Sequence, residues 1–282
     1  MKKTIICIAV LLSFISCSAF AQDVRVKRLF NDNWYFHKGE VENGEKTDLD
    51  HKDWRNIDLP HDWSVEGPFS EKLASGTGYL PAGIAWYRKT FDISPELQSK
   101  KLALYFDGVY KNSEVWINGH YLGKRPNGHI PFQYEITKYL NKEGKNTVAV
   151  KVDHTQFADS RWYNGSGIYR NVYLIATEPI HISQWGIAFT TPEVSKEKAS
   201  AKVAVSMENN TASVAKVRVR SRLLDQKGNL VKEVQEQVAL DAGEKGEKDL
   251  SFQVDKPKLW STETPNLYQL QVALFVDDQK ID

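Results

Sequence analysis

Apolar residues in this chain recur at every second position, segment after segment, and nowhere at a sustained 3.6-residue period with caps at both ends. In "KLALYFD" Leu102, Leu104 and Phe106 alternate with polar neighbours, and in "NTVAVKV" Val148, Val150 and Val152 do the same. Period two is the mark of strands with one face on a core. "SEVWINGHYLG" has two extended arms around Asn118-Gly119, a dipeptide suited to a tight hairpin turn with positive φ at both central positions. "EITKYLNK" offers at most one helical turn near Thr137. The fold class these patterns predict is all-β.

The first residues stand apart. Lys2 and Lys3 precede an apolar run from Ile5 to Ile15, and "SAFAQ" places Ala19 and Ala21 around a cleavage point. Residues 1–21 therefore read as a secretory signal peptide, too short to span a membrane. Cys17 offers a second route, lipidation, but Phe14 stands where such boxes usually carry Leu, so export in free form, periplasmic or secreted, is favoured. Both cysteines, Cys7 and Cys17, lie in this segment, so cleavage leaves a disulfide-free protein. The 37 basic and 36 acidic side chains nearly cancel, and cleavage removes Lys2 and Lys3 and no acid. Such a balance gives no case for nucleic acid or anionic membrane as partner. No later apolar run reaches spanning length.

Composition shifts near residues 176–181. Before it the chain is rich in Trp, Tyr, Gly and His; after it Val, Lys, Glu, Ala and Ser dominate. Two domains are predicted, a sandwich over 24–178 and a second over 179–282. In "VRVRSRL" Val217, Val219 and Leu223 face a core while Arg218, Arg220 and Arg222 form a solvated row. Six strands can be counted in the second part, ending at Val276. The Asp277-Asp278 turn then begins a hairpin whose returning strand is cut short, so the second sandwich is expected to lack its last strand and the chain to be a truncated piece.

The densest chemistry is "ADSRWYNGSGIYRNVYLI", residues 158–175, with Asp159, Arg161, Trp162, Tyr163 and Asn164 before a glycine turn. Carboxylate and guanidinium groups take vicinal hydroxyls through charge-assisted hydrogen bonds, and Trp162 or Tyr163 offers a face to a sugar ring. The competing reading pairs Arg161 with Asp159 and puts Trp162 in the core. "LPHDW" holds His61 beside Asp62, but no nucleophile accompanies them, and packing is the favoured role. "SGTGYLPAGIAWYRK" is glycine-rich without phosphate-loop spacing, and Tyr79 is its one candidate for a cleft. The seven histidines show no ligand spacing, and no metal or other cofactor is predicted.

"FNDNWYFHKGE", "WRNIDLPHDW", "GYLPAGIAWYRKTFDI", "LYFDGVYKNSEVWINGHYLG", "NTVAVKV" and "DSRWYNGSGIYRNVYL" follow one another in this order. Together they resemble the N-terminal region of glycoside hydrolase family 2, β-galactosidase-like members in particular, over roughly residues 28–175. "LWSTETPNLYQLQV" resembles the immunoglobulin-like domain that follows. The resemblance implies a sugar-binding jelly-roll sandwich, then an immunoglobulin-like sandwich, with catalysis on a (β/α)₈ barrel of about 250 residues that this chain has no room for. It further implies a β-glycoside as substrate, held at its non-reducing end, with Asp159, Arg161, Trp162 and Tyr163 as substrate-binding candidates. Catalytic residues are none: a retaining glycosidase needs two carboxyl groups, and the family's acid/base glutamate follows an Asn, whereas no Asn-Glu dipeptide occurs here. The expected partners are carbohydrate and the barrel of the same enzyme. The alternative is a free-standing carbohydrate-binding module without hydrolytic activity, against which an unprotected apolar edge in the second sandwich speaks.

Overall fold

The computed structural model describes residues 24–156 and 163–282. The first ten strands are β1 (Val26–Leu29), β2 (Trp34–Lys38), β3 (Arg55–Ile57), β4 (Gly83–Phe91), β5 (Lys101–Phe106), β6 (Ser113–Ile117), β7 (His120–Arg125), β8 (Phe132–Glu135), β9 (Asn146–His154) and β10 (Val172–Thr177). They form a six-stranded sheet, β3-β2-β4-β9-β6-β7, facing a four-stranded one, β1-β10-β5-β8. Leu102, Leu104 and Phe106 of β5 turn inward and are at most 2% exposed, as their alternation predicts. Opposite them Trp34, Tyr87, Val115 and Val150 are fully buried, and each such large apolar side chain contributes about 1.5–3 kcal/mol over its exposed state. The indole of Trp34 donates to the Phe30 carbonyl at 2.8 Å, so its one polar atom is satisfied inside the core.

The Asn118-Gly119 turn joins β6 to β7 with φ of +49° and +79°, the positive pair that its sequence predicts. The single turn near Thr137 is a 3₁₀ turn, Thr137–Tyr139. Trp86, next to inward Tyr87, points to the other face of its sheet. There it stacks on Trp116 at 5.4 Å and is covered by the backbone at Gly44.

Seven further strands follow: β11 (Ile180–Thr190), β12 (Lys198–Asn209), β13 (Ala215–Leu224), β14 (Leu230–Leu240), β15 (Lys245–Asp255), β16 (Gln269–Val276) and β17 (Gln279–Lys280). Sheet β11-β12-β15 packs on sheet β14-β13-β16-β17 around Val203, Val205, Met207, Val217, Val219, Leu250 and Leu274. The turn at Asp277-Asp278 is present, and the strand returning from it is two residues long. The arginine row departs from a solvated face. β13 is flanked on both sides, so Arg218, Arg220 and Arg222 are only half exposed. The guanidinium groups of Arg218 and Arg220 lie 4.6 Å from the Phe275 ring.

Only Glu178 and Pro179 separate β10 from β11. The junction is tied by Lys100 to Glu178 at 2.5 Å and by Arg25, which donates to both Asp282 carboxylate oxygens at 2.9 and 2.6 Å. Asp282 in turn accepts from the Ile182 amide at 2.8 Å, so one buried carboxylate links the lead into the first sandwich with the second.

Candidate functional site

Three connections meet at one place on the first sandwich: residues 59–63, residues 75–81 and residues 163–167. Asp62 organises them. Its Oδ1 accepts from the Ser64 amide at 2.9 Å and from the Ser166 amide at 2.8 Å, while Oδ2 accepts from the Tyr163 hydroxyl. The glycines on either side of Ser166 are required by this approach. A β-carbon on Gly165 would sit 2.4 Å from Asp62 Oδ2, and one on Gly167 would sit 2.3 Å from the Tyr87 hydroxyl.

Beneath the loops runs a buried polar chain. His154 Nδ1 lies 2.7 Å from Ser166 Oγ, Ser166 Oγ 2.6 Å from Ser64 Oγ, and Ser64 Oγ 2.7 Å from the Pro81 carbonyl. Ser64 Oγ faces two acceptors, the Pro81 carbonyl and Ser166 Oγ, and the His154 tautomer sets which side donates at Ser166. All three side chains are at most 1% exposed, so the serines have no route to a substrate and their chemistry is structural. His61 is also a packing residue. Its Nε2 accepts from Arg55 at 2.8 Å with Glu66 at 3.2 Å, and its Nδ1 meets the Tyr87 hydroxyl at 2.8 Å. Asp62 faces the other way, toward Ser166, so among the described residues "HDW" builds no nucleophile–base pair.

Burial pushes His61 below the usual histidine range, against the pull of Glu66. A histidine lowered in the folded state supplies stability above its unfolded value, near 6.5, and loses it as pH falls through the folded value. The thermal midpoint is therefore expected to drop between pH 7 and pH 5, and to drop less in His61→Gln. An equal slope in the two proteins would remove His61 from the account.

Two aromatic side chains of the cluster reach solvent. Tyr163 is 43% exposed and Tyr79 is 48% exposed, and the Gly78 backbone packs against the Tyr163 ring. Tyr79 holds a φ of +61°, and its carbonyl accepts from the Ser70 amide at 3.0 Å. Phe69, beside it, is 76% exposed. Burial, and then the hydrogen bond to Asp62, push the Tyr163 hydroxyl well above the usual phenol range, so it remains a donor at neutral pH. Of the four substrate-binding candidates only Tyr163 is seen in this cluster. Asp159, Arg161 and Trp162 lie outside the described residues. Asp62, Ser64, Ser166 and His154 come together from segments that no short-range pattern links, and the serine between two glycines in "NGSG" is the one local signal for them.

Comparison with known proteins gives this arrangement its setting. Residues 48–179 match the sugar binding domain of glycosyl hydrolases family 2, and residues 180–282 match a second domain of the same family. The chain is 41% identical over 255 residues to the β-galactosidase BoGH2A of Bacteroides ovatus, which covers 90% of this chain and 30% of that protein. It is 38% identical to a putative β-glucuronidase of Formosa agariphila, covering 99% of this chain and 26% of the relative. The crystal structure of a β-glycosidase from Bacteroides vulgatus superposes with a TM-score of 0.83 at 39% identity, covering 91% of this chain and 33% of that one. The chain thus spans between about a quarter and a third of the length of these relatives. It belongs to glycosyl hydrolases family 2.

Proposed function

We propose that the chain is the N-terminal, non-catalytic portion of an exported, exo-acting retaining glycoside hydrolase of β-galactosidase type. In this reading it supports a catalytic barrel and lends one wall to the pocket for the non-reducing-end sugar. The observation that carries the proposal is the loop cluster. Tyr79 and Tyr163 are both exposed on adjoining loops of a domain of the sugar-binding family, and Tyr163 is held from below by Asp62 and a buried hydrogen-bond chain. Aromatic faces suit the apolar side of a sugar ring, and the residues 157–162 leading into Tyr163 carry Asp159 and Arg161, which suit its hydroxyls. The reaction needs two carboxyl groups about 5–5.5 Å apart, and these are assigned to the barrel. Export rests on the apolar, alanine-ended leader at residues 1–21.

The test is an assay of two proteins, this chain and the same chain with its downstream coding sequence, on nitrophenyl β-galactoside and β-glucuronide. The longer protein is expected to turn over one of them and the shorter neither. Turnover by the chain alone, or a downstream sequence without a barrel, would overturn the proposal.

A further inference from the structure

An open cleft of about 890 Å³ lies between the two sandwiches and shares no residue with the three-loop cluster. Its floor is the outward face of β5, β8 and β10, and one wall is the connection from Arg125 to Pro131. The other wall is a bulge in β11, where the register against β12 shifts between Ile182 and Ile187. The bulge forces Trp185 to a φ of +54° and leaves its side chain 64% exposed, with its ring 6.2 Å from that of Tyr105. A bulky residue at positive φ is uncommon, and such strain persists where the surroundings hold it. A bulge of this kind re-aims a side chain, and this one presents an indole at the cleft.

The charges in the cleft do not all cancel. Lys101 pairs with Glu135 at 3.2 Å, Lys245 with Glu208 at 2.9 Å and Arg25 with Asp282 at 2.6 Å. Arg125 has no carboxylate partner among the described residues. Its guanidinium lies over the rings of Tyr134 at 5.5 Å and Phe132 at 5.9 Å. On the outward face of β8, opposite to those rings, the side-chain oxygen of Gln133 is shielded and has no hydrogen-bond donor among the described residues. One spare cation suits one carboxylate of an acidic sugar, which a guanidinium takes through two parallel bonds. The volume falls within the range of small-molecule sites, and Asn127 and Gln184 line it with amides suited to hydroxyls.

We infer that this cleft binds an acidic oligosaccharide, with one sugar ring against Trp185 and a uronate carboxylate on Arg125. The inference is independent of the role proposed for the loop cluster. It is tested by calorimetry on the chain with trigalacturonate and, as the neutral probe, galactotriose. Trigalacturonate is expected to bind with a dissociation constant of about 1 mM or tighter. Arg125→Gln should weaken it about tenfold or more and leave galactotriose binding unchanged. Trp185→Asn removes the ring while tolerating the left-handed backbone, so it should abolish binding without lowering the thermal midpoint. No heat with trigalacturonate up to 10-fold above that concentration overturns the inference, as does parental affinity in both variants. Tighter binding of galactotriose than of trigalacturonate overturns the assignment to an acidic sugar.

Discussion

Gly167→Ala is expected to destabilise the first sandwich by about 3 kcal/mol, from backbone strain and overpacking together, and to lower its thermal midpoint by about 10 °C. Gly167 sits at φ +125°, and its backbone exchanges two hydrogen bonds with Tyr110, at 2.9 and 2.8 Å, that pin it in place. A β-carbon there would meet the Tyr87 hydroxyl at 2.3 Å, the His61 carbonyl at 2.7 Å and the Trp63 ring at 3.2 Å. Two of these belong to rigid groups: a backbone carbonyl and an indole that is 1% exposed. None is the free end of a flexible side chain, so the clash cannot be relieved locally. Gly83→Ala is the matched control, because Gly83 lies in β4 of the same sandwich at φ +116° with nothing within 4 Å of an added β-carbon. It carries the backbone strain without the overpacking and should cost about 1–2 kcal/mol. Equal midpoints for the two variants would show that the Tyr87–His61–Trp63 floor yields to a methyl group, contrary to the packing described.

The contrast between these glycines shows what sequence makes legible. Strand alternation is local, so Leu102, Leu104 and Phe106 announce their inward face, and Asn118-Gly119 announces its turn. A strand's place within its sheet is not local. The arginines of β13 look like a solvated row, yet β14 and β16 flank them and Phe275 covers two of them. The site divides in the same way. "RWYNGSG" advertises polar and aromatic density, and Tyr163 does reach the surface. Its anchor Asp62 lies 101 positions earlier, and the Ser64–Ser166 bond spans 102 positions. No short-range pattern encodes such pairs. The outward turn of Trp185 is non-local in the same way. "IHISQWGIAF" reads as an ordinary strand, and only its pairing with β12 shows the bulge that turns the indole outward.

Asp62→Ala is expected to release the loop at 163–167 while leaving the sandwich beneath it folded. The carboxylate is the acceptor for the Ser64 and Ser166 amides and for the Tyr163 hydroxyl, so its removal strands two amide donors and a phenol at once. Leaving shielded donors unpaired costs about 1–3 kcal/mol each, and partial hydration of the half-buried site reduces the sum to about 2–4 kcal/mol. Ser166 and Ser64 would remain joined through their hydroxyls, and His154 would still hold Ser166 at 2.7 Å. The opening is therefore local. Amide hydrogen exchange should accelerate by about a hundredfold at residues 163–166 and change little in β4 and β9. Asp62→Asn separates charge from geometry. It keeps an oxygen for the two amides, so protection should largely persist, but it withdraws the anion from Tyr163. The Tyr163 titration, isolated as the absorbance difference from Tyr163→Phe, should then move down toward the ordinary phenol range, the reverse of the shift that burial and Asp62 impose. In the longer protein the two variants bear on the proposed pocket wall. A wall that holds substrate predicts a raised KM with a smaller change in kcat, graded Asp62→Ala above Asp62→Asn. Unchanged exchange at Ser166 in Asp62→Ala would show that Asp62 does not hold the loop.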